Sequence, residues 1–206
     1  MKKYSILIMV GLFCTGVLFA APANLKDLVR KKYSPSASFT IDFDQSIYWS
    51  VREKTSKKSG TLTIAPGDRF RIELGNELYV SNGTVCWQYS KTNKQVTIRN
   101  LGDIDLSFHP SNLLSSFLER YSFSESDKGN GIAVLTSADS AAAAPYHGIV
   151  ITVQRSSGTV NLLEFTDNNE NRHTYRFRKT VFTAKQPLSL FEFEVPADAD
   201  VIDHRQ

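Results

Sequence analysis

Between residues 60 and 101, apolar and polar residues alternate in four successive short runs, and few folds are compatible with that pattern. The runs are Thr61-Leu62-Thr63-Ile64, Arg69-Phe70-Arg71-Ile72-Glu73-Leu74, Val85-Cys86-Trp87-Gln88-Tyr89 and Gln95-Val96-Thr97-Ile98-Arg99. A shorter Leu78-Tyr79-Val80 lies between the second and the third. A period of two residues marks a strand with one apolar face and one wet face. Turn chemistry separates the runs: Pro66-Gly67-Asp68, Gly75-Asn76, Asn82-Gly83 and Thr92-Asn93. Asn-Gly tolerates the positive φ that a two-residue hairpin turn demands. The stretch therefore reads as a consecutive antiparallel meander.

The flanking sequence extends this sheet and adds two helices. Asn24 is placed to cap a helix in which Leu25, Leu28, Val29 and Lys32 share helical spacing, and Ser34-Pro35 ends it. Phe39, Ile41, Phe43, Gln45, Ile47 and Trp49 then alternate with Thr40, Asp42, Asp44, Ser46 and Tyr48. That strand is longer than average, as an extended, curved sheet requires. Residues 54–59 read as a charged connection. After the meander, Pro110-Ser111-Asn112 opens a helix whose broad face carries Leu113, Leu114, Phe117, Leu118 and Tyr121. Packing on one sheet accounts for that face; covering an apolar groove is its functional reading. Strands are expected again over 132–136, 149–154, 160–166 and 172–179, with a last one over 190–196. The alanine run at 141–144 reads as part of a loop. There is no repeat, and residues 24–206 form one domain.

The first 23 residues have the layout of a signal peptide: Lys2-Lys3, an apolar run over 6–19, and small residues Ala20-Ala21-Pro22-Ala23. Cleavage after Ala20 or Ala23 fits equally. Cys14 leaves with this leader, because Leu12-Phe13 are too bulky for a lipidation signal. Only Cys86 then remains, so no disulfide can staple the fold. Of 24 basic residues against 21 acidic, Lys2 and Lys3 lie in the leader, which leaves 22 against 21. A balance so close to neutral gives no nucleic-acid surface.

Gly60-x-Leu62-x-Ile64, Pro66-Gly67, Arg69-Phe70-Arg71, Ser81-Asn82-Gly83, Trp87-x-Tyr89 and Gln95-Val96 follow one another as they do in LolA-type periplasmic lipoprotein carriers. Pro110-x-x-Leu113-Leu114 and the closing Phe191-x-Phe193-x-x-Pro196 continue the resemblance over nearly the whole mature chain. It implies an α+β fold, an unclosed antiparallel β-barrel of about 11 strands whose concave apolar face is covered by helices. It also implies a periplasmic carrier, working as a monomer, that takes lipoproteins from the inner to the outer membrane. Acylated lipoproteins and an inner-membrane ABC-type lipoprotein-releasing complex are the implied partners, and an outer-membrane receptor is left open. No cofactor and no metal are implied.

The candidate cavity lining is Phe39, Ile41, Phe43, Ile47, Trp49, Leu62, Ile64, Phe70, Ile72 and Trp87, with Leu113, Leu114, Phe117 and Leu118 from the helix. Phe70 falls where the family has its cavity phenylalanine. The arginine that family members carry before the proline of this turn is replaced by Ala65. Arg69 and Arg71 are the nearest substitutes, although alternation turns both away from Phe70.

Catalysis finds little support. His109, His147, His173 and His204 lack metal-ligand spacing. There is no Gly-x-Ser-x-Gly elbow and no phosphate-cradling glycine loop. Asp42 and Asp44 alternate with the apolar residues of their strand and read as a solvated face. What the chain has in surplus is apolar surface: thirteen Phe, eight Tyr and two Trp. Burial is worth about 0.8 kcal/mol per methylene, so an apolar groove holds an acyl chain without covalent chemistry. A carrier or sensor for another lipid, phospholipid or glycolipid, is the alternative. An outer-membrane barrel fits less well, because the chain ends in the polar Asp203-His204-Arg205-Gln206 and carries an amphipathic helix at its middle.

Overall fold

The computed structural model describes residues 24–34, 36–104, 110–138 and 145–205. The leader expected over 1–23 and the alanine run at 141–144 lie outside the described residues. Helix α1 (Leu25–Lys32) begins at Asn24, whose side chain accepts a hydrogen bond from the Lys26 N–H at 3.0 Å. That bond satisfies one of the orphan donors of the first turn.

The meander is present as β1 (Ser38–Trp49), β2 (Lys54–Ala65), β3 (Arg69–Leu74), β4 (Glu77–Asn82), β5 (Val85–Ser90) and β6 (Gln95–Asn100), each antiparallel to the next. Its turns need glycine where the sequence has it. Gly83 sits at φ 98°, and a Cβ there would come within 2.3 Å of the Gly67 carbonyl oxygen. A 3-10 turn (Leu101–Asp103) leads towards α2 (Pro110–Arg120). A second meander follows: β7 (Phe123–Gly129), β8 (Ile132–Ser137), β9 (Tyr146–Gln154), β10 (Thr159–Asp167) and β11 (Arg172–Thr183). β11 returns to pair antiparallel with β1 along its length. The last strand is β12 (Asp200–Asp203), which pairs parallel to β6. The resulting sheet runs β12-β6-β5-β4-β3-β2-β1-β11-β10-β9-β8-β7, so its edges stay apart and the barrel is unclosed.

Among the described residues the sheet has twelve strands, in line with the expected count of about eleven. Some elements differ from the sequence reading. The charged stretch 54–59 is not a connection but the first half of β2, because β1 supplies its backbone hydrogen bonds. Leu78-Tyr79-Val80 belongs to a full strand, β4, and β7 was not legible at all. The strand expected over 190–196 is instead a 3-10 turn (Leu188–Phe191) followed by chain without ladder pairing.

Two apolar clusters lie on opposite faces of this sheet. On the concave face, cross-strand partners stack Ile41, Leu62 and Ile72 in one row and Phe39, Ile64 and Phe70 in the next. α1 and α2 cover it, contributing Leu25 and Val29, and Leu113, Leu114, Phe117 and Leu118, all at most 3% exposed. On the convex face Leu78, Val80, Val96 and Ile98 are buried. The chain returning after β11 runs here, where the 3-10 turn holding the fully buried Phe191 packs on β3 and β4 and Phe193 lies 5.9 Å from Tyr89.

Candidate functional site

A cavity of about 670 Å³ opens at one end of the concave face, between α2, the end of α1 and the β1-β2-β3 sheet. Phe39, Ile64 and Phe70 form its floor, with Tyr33 and Leu101 beside them. They meet there because β1, β2 and β3 place these three residues in direct cross-strand register. The rim is polar: Asp68, Arg69, Ser115, Ser116, Glu119 and Arg120. α2 thus divides by helical spacing. Leu113, Leu114, Phe117 and Leu118 point into the core, while residues 115, 116, 119 and 120 border the cavity.

Arg69 and Arg71, the nearest substitutes for the family's arginine, part at the rim. Arg71 is turned outward and pairs with Glu73 at 2.9 Å. Arg69 opens β3, and its guanidinium donates to the Pro66 carbonyl oxygen at 2.8 Å, which holds its long side chain along the turn and against the cavity. The sequence reading missed Arg120. Helical spacing separates it from the buried face, but only the tertiary structure shows that this polar face borders a cavity.

The other candidate residues are placed differently. Ile41, Phe43, Leu62 and Ile72 are at most 1% exposed in the closed core beneath the helices. Ile47 borders a separate depression of about 340 Å³ further along β1, with Tyr146, Phe165, His173 and Tyr175. Trp49 lies beyond it, 38% exposed, its indole N–H donating to the Ser56 hydroxyl at 3.1 Å. Trp87 is on the wrong face for the groove. It stands opposite Val80 and Ile98 on the convex side, while its neighbour Cys86, opposite Ser81, joins the concave cluster. Alternation allows both faces of β5, and the sequence reading chose the more apolar one.

The reactive groups among the described residues are held in structural contacts. Burial pushes the Cys86 thiol up to about 12, with Arg99 opposing only in part, so it stays protonated. Asp42 and Asp44 face outward and accept hydrogen bonds from Thr61 at 2.9 Å and Ser59 at 2.6 Å. His173 stacks on Phe165 at 4.7 Å and bonds the Asp167 carboxylate at 2.9 Å. That carboxylate is committed to its turn, accepting from the backbone N–H of Asn169 and Asn171 and from the Asn171 amide. Burial works to raise the Asp167 pKa, but these hydrogen bonds, led by His173, outweigh it and hold the group below its ordinary value. Among the described residues no group of three His, Cys, Asp or Glu side chains could hold a metal ion.

Known proteins share this architecture. The profile of the family "Outer membrane lipoprotein carrier protein LolA" matches residues 34–194. An outer-membrane lipoprotein carrier protein of Psychromonas ingrahamii is 25% identical over the full length of both chains. Another, of Aliivibrio salmonicida, is 28% identical over 94% of this chain and 96% of its own. A crystal structure of an uncharacterized conserved protein from Thermus thermophilus superposes with a TM-score of 0.56. It covers 87% of this chain and 97% of its own at 13% identity, a likeness of fold alone. With most of its length matched by the profile and its sheet unclosed, the chain belongs to the LolA family of outer membrane lipoprotein carrier proteins.

Proposed function

We propose that this protein carries lipoproteins through the periplasm by holding their acyl chains in the groove beneath α2. The observation that carries this reading is the cavity of about 670 Å³ with Phe39, Ile64 and Phe70 as its floor and a polar rim. Its size lies within the roughly 300–1,000 Å³ of small-molecule sites. An acyl chain of about fifteen methylenes gains roughly 12 kcal/mol on leaving water. Polar contacts at an exposed surface cannot match that.

The cavity alone does not hold several chains, because most of the concave face is filled by side chains of α1 and α2. Further chains enter as α2 swings away and acyl groups take the places of Leu113, Leu114, Phe117 and Leu118. Arg69 and Arg120 then stand where the polar head of the cargo leaves the groove. The donor in this reading is an inner-membrane ABC-type releasing complex, and the acceptor lies at the outer membrane. No step needs a covalent intermediate. Direction follows from which partner offers the better apolar site.

The test is to purify the protein from its native cell envelope and identify what is bound by mass spectrometry. Diacylated or triacylated proteins support the proposal. Free phospholipid or glycolipid as the sole occupant overturns it in favour of a carrier for another lipid, since an apolar floor accepts any acyl chain.

A further inference from the structure

We propose that the tip of the β1–β2 hairpin docks the protein onto an anionic lipid surface. The two strands stay paired as far as Trp49 and Lys54, but β3 accompanies β2 only along residues 60–65. Residues 54–59 therefore project past β3 by about 20 Å at the strand rise. The end of this projection is apolar. Val51 is 91% exposed and Trp49 38%, both among the largest exposed apolar side chains of the described residues.

Around that apolar end stand four cations. Arg52, Lys54, Lys57 and Lys58 are all exposed, and none lies within ion-pair distance of a carboxylate among the described residues. Glu53 is the only acid of residues 49–58, and the adjoining β10–β11 turn, which Ser50 reaches through Asn169 and Asn171, adds Asp167, committed to its own turn, and Glu170, which stands 3.6 Å from His147. Lys57, Lys58 and Arg176 also border a polar depression of about 470 Å³, with the hydroxyls of Ser46 and Thr174 and one carboxylate, Asp44, which accepts from the Ser59 hydroxyl and pairs with Arg178 at 3.4 Å. Ammonium, guanidinium and hydroxyl donors together suit a phosphate oxygen.

Lysines on a free strand edge also discourage pairing with another sheet. That role explains the lysines, but it leaves an exposed valine and tryptophan at the very end unaccounted for. An anionic bilayer explains both. Tryptophan favours the headgroup level, and each Lys or Arg near such a surface adds roughly 1 kcal/mol, about five-fold in partition. The cavity floor at Phe39 lies ten residues back along β1, roughly 30 Å away, so the tip docks whether or not the groove is filled.

The test uses the protein as purified from the cell envelope and sediments it with vesicles. One set contains equal parts of phosphatidylethanolamine and phosphatidylglycerol, the other phosphatidylcholine alone. Binding to the anionic set only, weakened by salt, with a blue shift of Trp49 emission in the Trp87→Phe background, is the expected result. Replacing Arg52, Lys54, Lys57 and Lys58 by Gln lowers partition at least a hundred-fold and leaves acyl-probe uptake by the groove unchanged. No binding to anionic vesicles, equal binding by the four-fold variant, or binding that requires a protein in the vesicle overturns the inference. Loss of uptake in the Gln variant signals misfolding, and the salt titration of the unmodified protein then decides alone. The vesicle assay needs no cargo, so its failure leaves the carrier reading intact, and the converse holds too.

Discussion

Phe117→Ala removes one of the two α2 side chains that have no exposed surface, the other being Leu114. The ring is fully buried and lies edge-on to Tyr121 at 5.7 Å, Tyr146 at 5.3 Å and Phe165 at 5.1 Å. Truncation at such a site costs about 3–5 kcal/mol. Lifting α2 off the sheet exposes Leu113, Leu114, Phe117 and Leu118 at about 1.5–3 kcal/mol each, or roughly 6–12 kcal/mol in all. That is comparable with the entire stability of about 5–15 kcal/mol expected of a domain, so α2, as the proposed lid, is almost always shut in the unmodified protein. The variant takes about 3–5 kcal/mol off that opening cost. At 1.4 kcal/mol per factor of ten, the open population rises by about a hundred- to a few-thousand-fold. Stopped-flow uptake of a fluorescent acyl probe should accelerate accordingly. Native-state hydrogen exchange should show α2 amides opening at a lower free energy than those of β1 and β11 in both proteins. An unchanged uptake rate, with α2 and β1 amides sharing one opening free energy, would refute the argument and make α2 ordinary core.

Phe70→Glu puts a carboxylate on the cavity floor, where water can reach it; the fold should survive with a modest loss of thermal stability while acyl-probe binding disappears. A mutant that unfolds outright would mark Phe70 as closed core, where an unpaired charge costs several kcal/mol. Phe191→Ala on the convex face should cost about 3–5 kcal/mol and lower Tm by about 6–20 °C, yet leave acyl binding intact; a drop in binding of equal size would show that the two clusters are coupled. Cys86, 2% exposed with its thiol pushed up to about 12, should resist iodoacetamide until the protein unfolds. Alkylation of the native protein at the rate of a free thiol would contradict its burial. Asp167 has a folded-state pKa below its ordinary 3.8, so its contribution is complete at neutral pH and is lost as the pH falls through the folded value. Unfolding followed between about pH 5 and pH 2 should therefore fall more steeply for the native protein than for Asp167→Asn, and equal slopes would exclude the effect.

Local chemistry carried most of the architecture. The alternation of Phe39, Ile41 and Phe43 with polar residues, the Asn82-Gly83 turn, the Asn24 cap and the apolar face of α2 are each settled within a few residues, because period, φ preference and capping act over that range. The same alternation named Phe39, Ile64 and Phe70 as one face, and the cross-strand register sets them in one row. What stayed hidden depends on chain that returns from far away. Residues 54–59 are too polar to read as a strand, and they are one because β1 offers backbone partners. Period two says which side chains share a face, not which face will be covered. On β5 both faces had a claim, and the chain after β11, about a hundred residues downstream, settled it by laying Phe191 and Phe193 over the convex side. Trp87 therefore faces away from the groove and Cys86 towards it. The cavity itself belongs to the same class. Its floor was written in the strands, but its opening exists only because the polar side of α2, with Arg120, stops short of filling the space above Phe70.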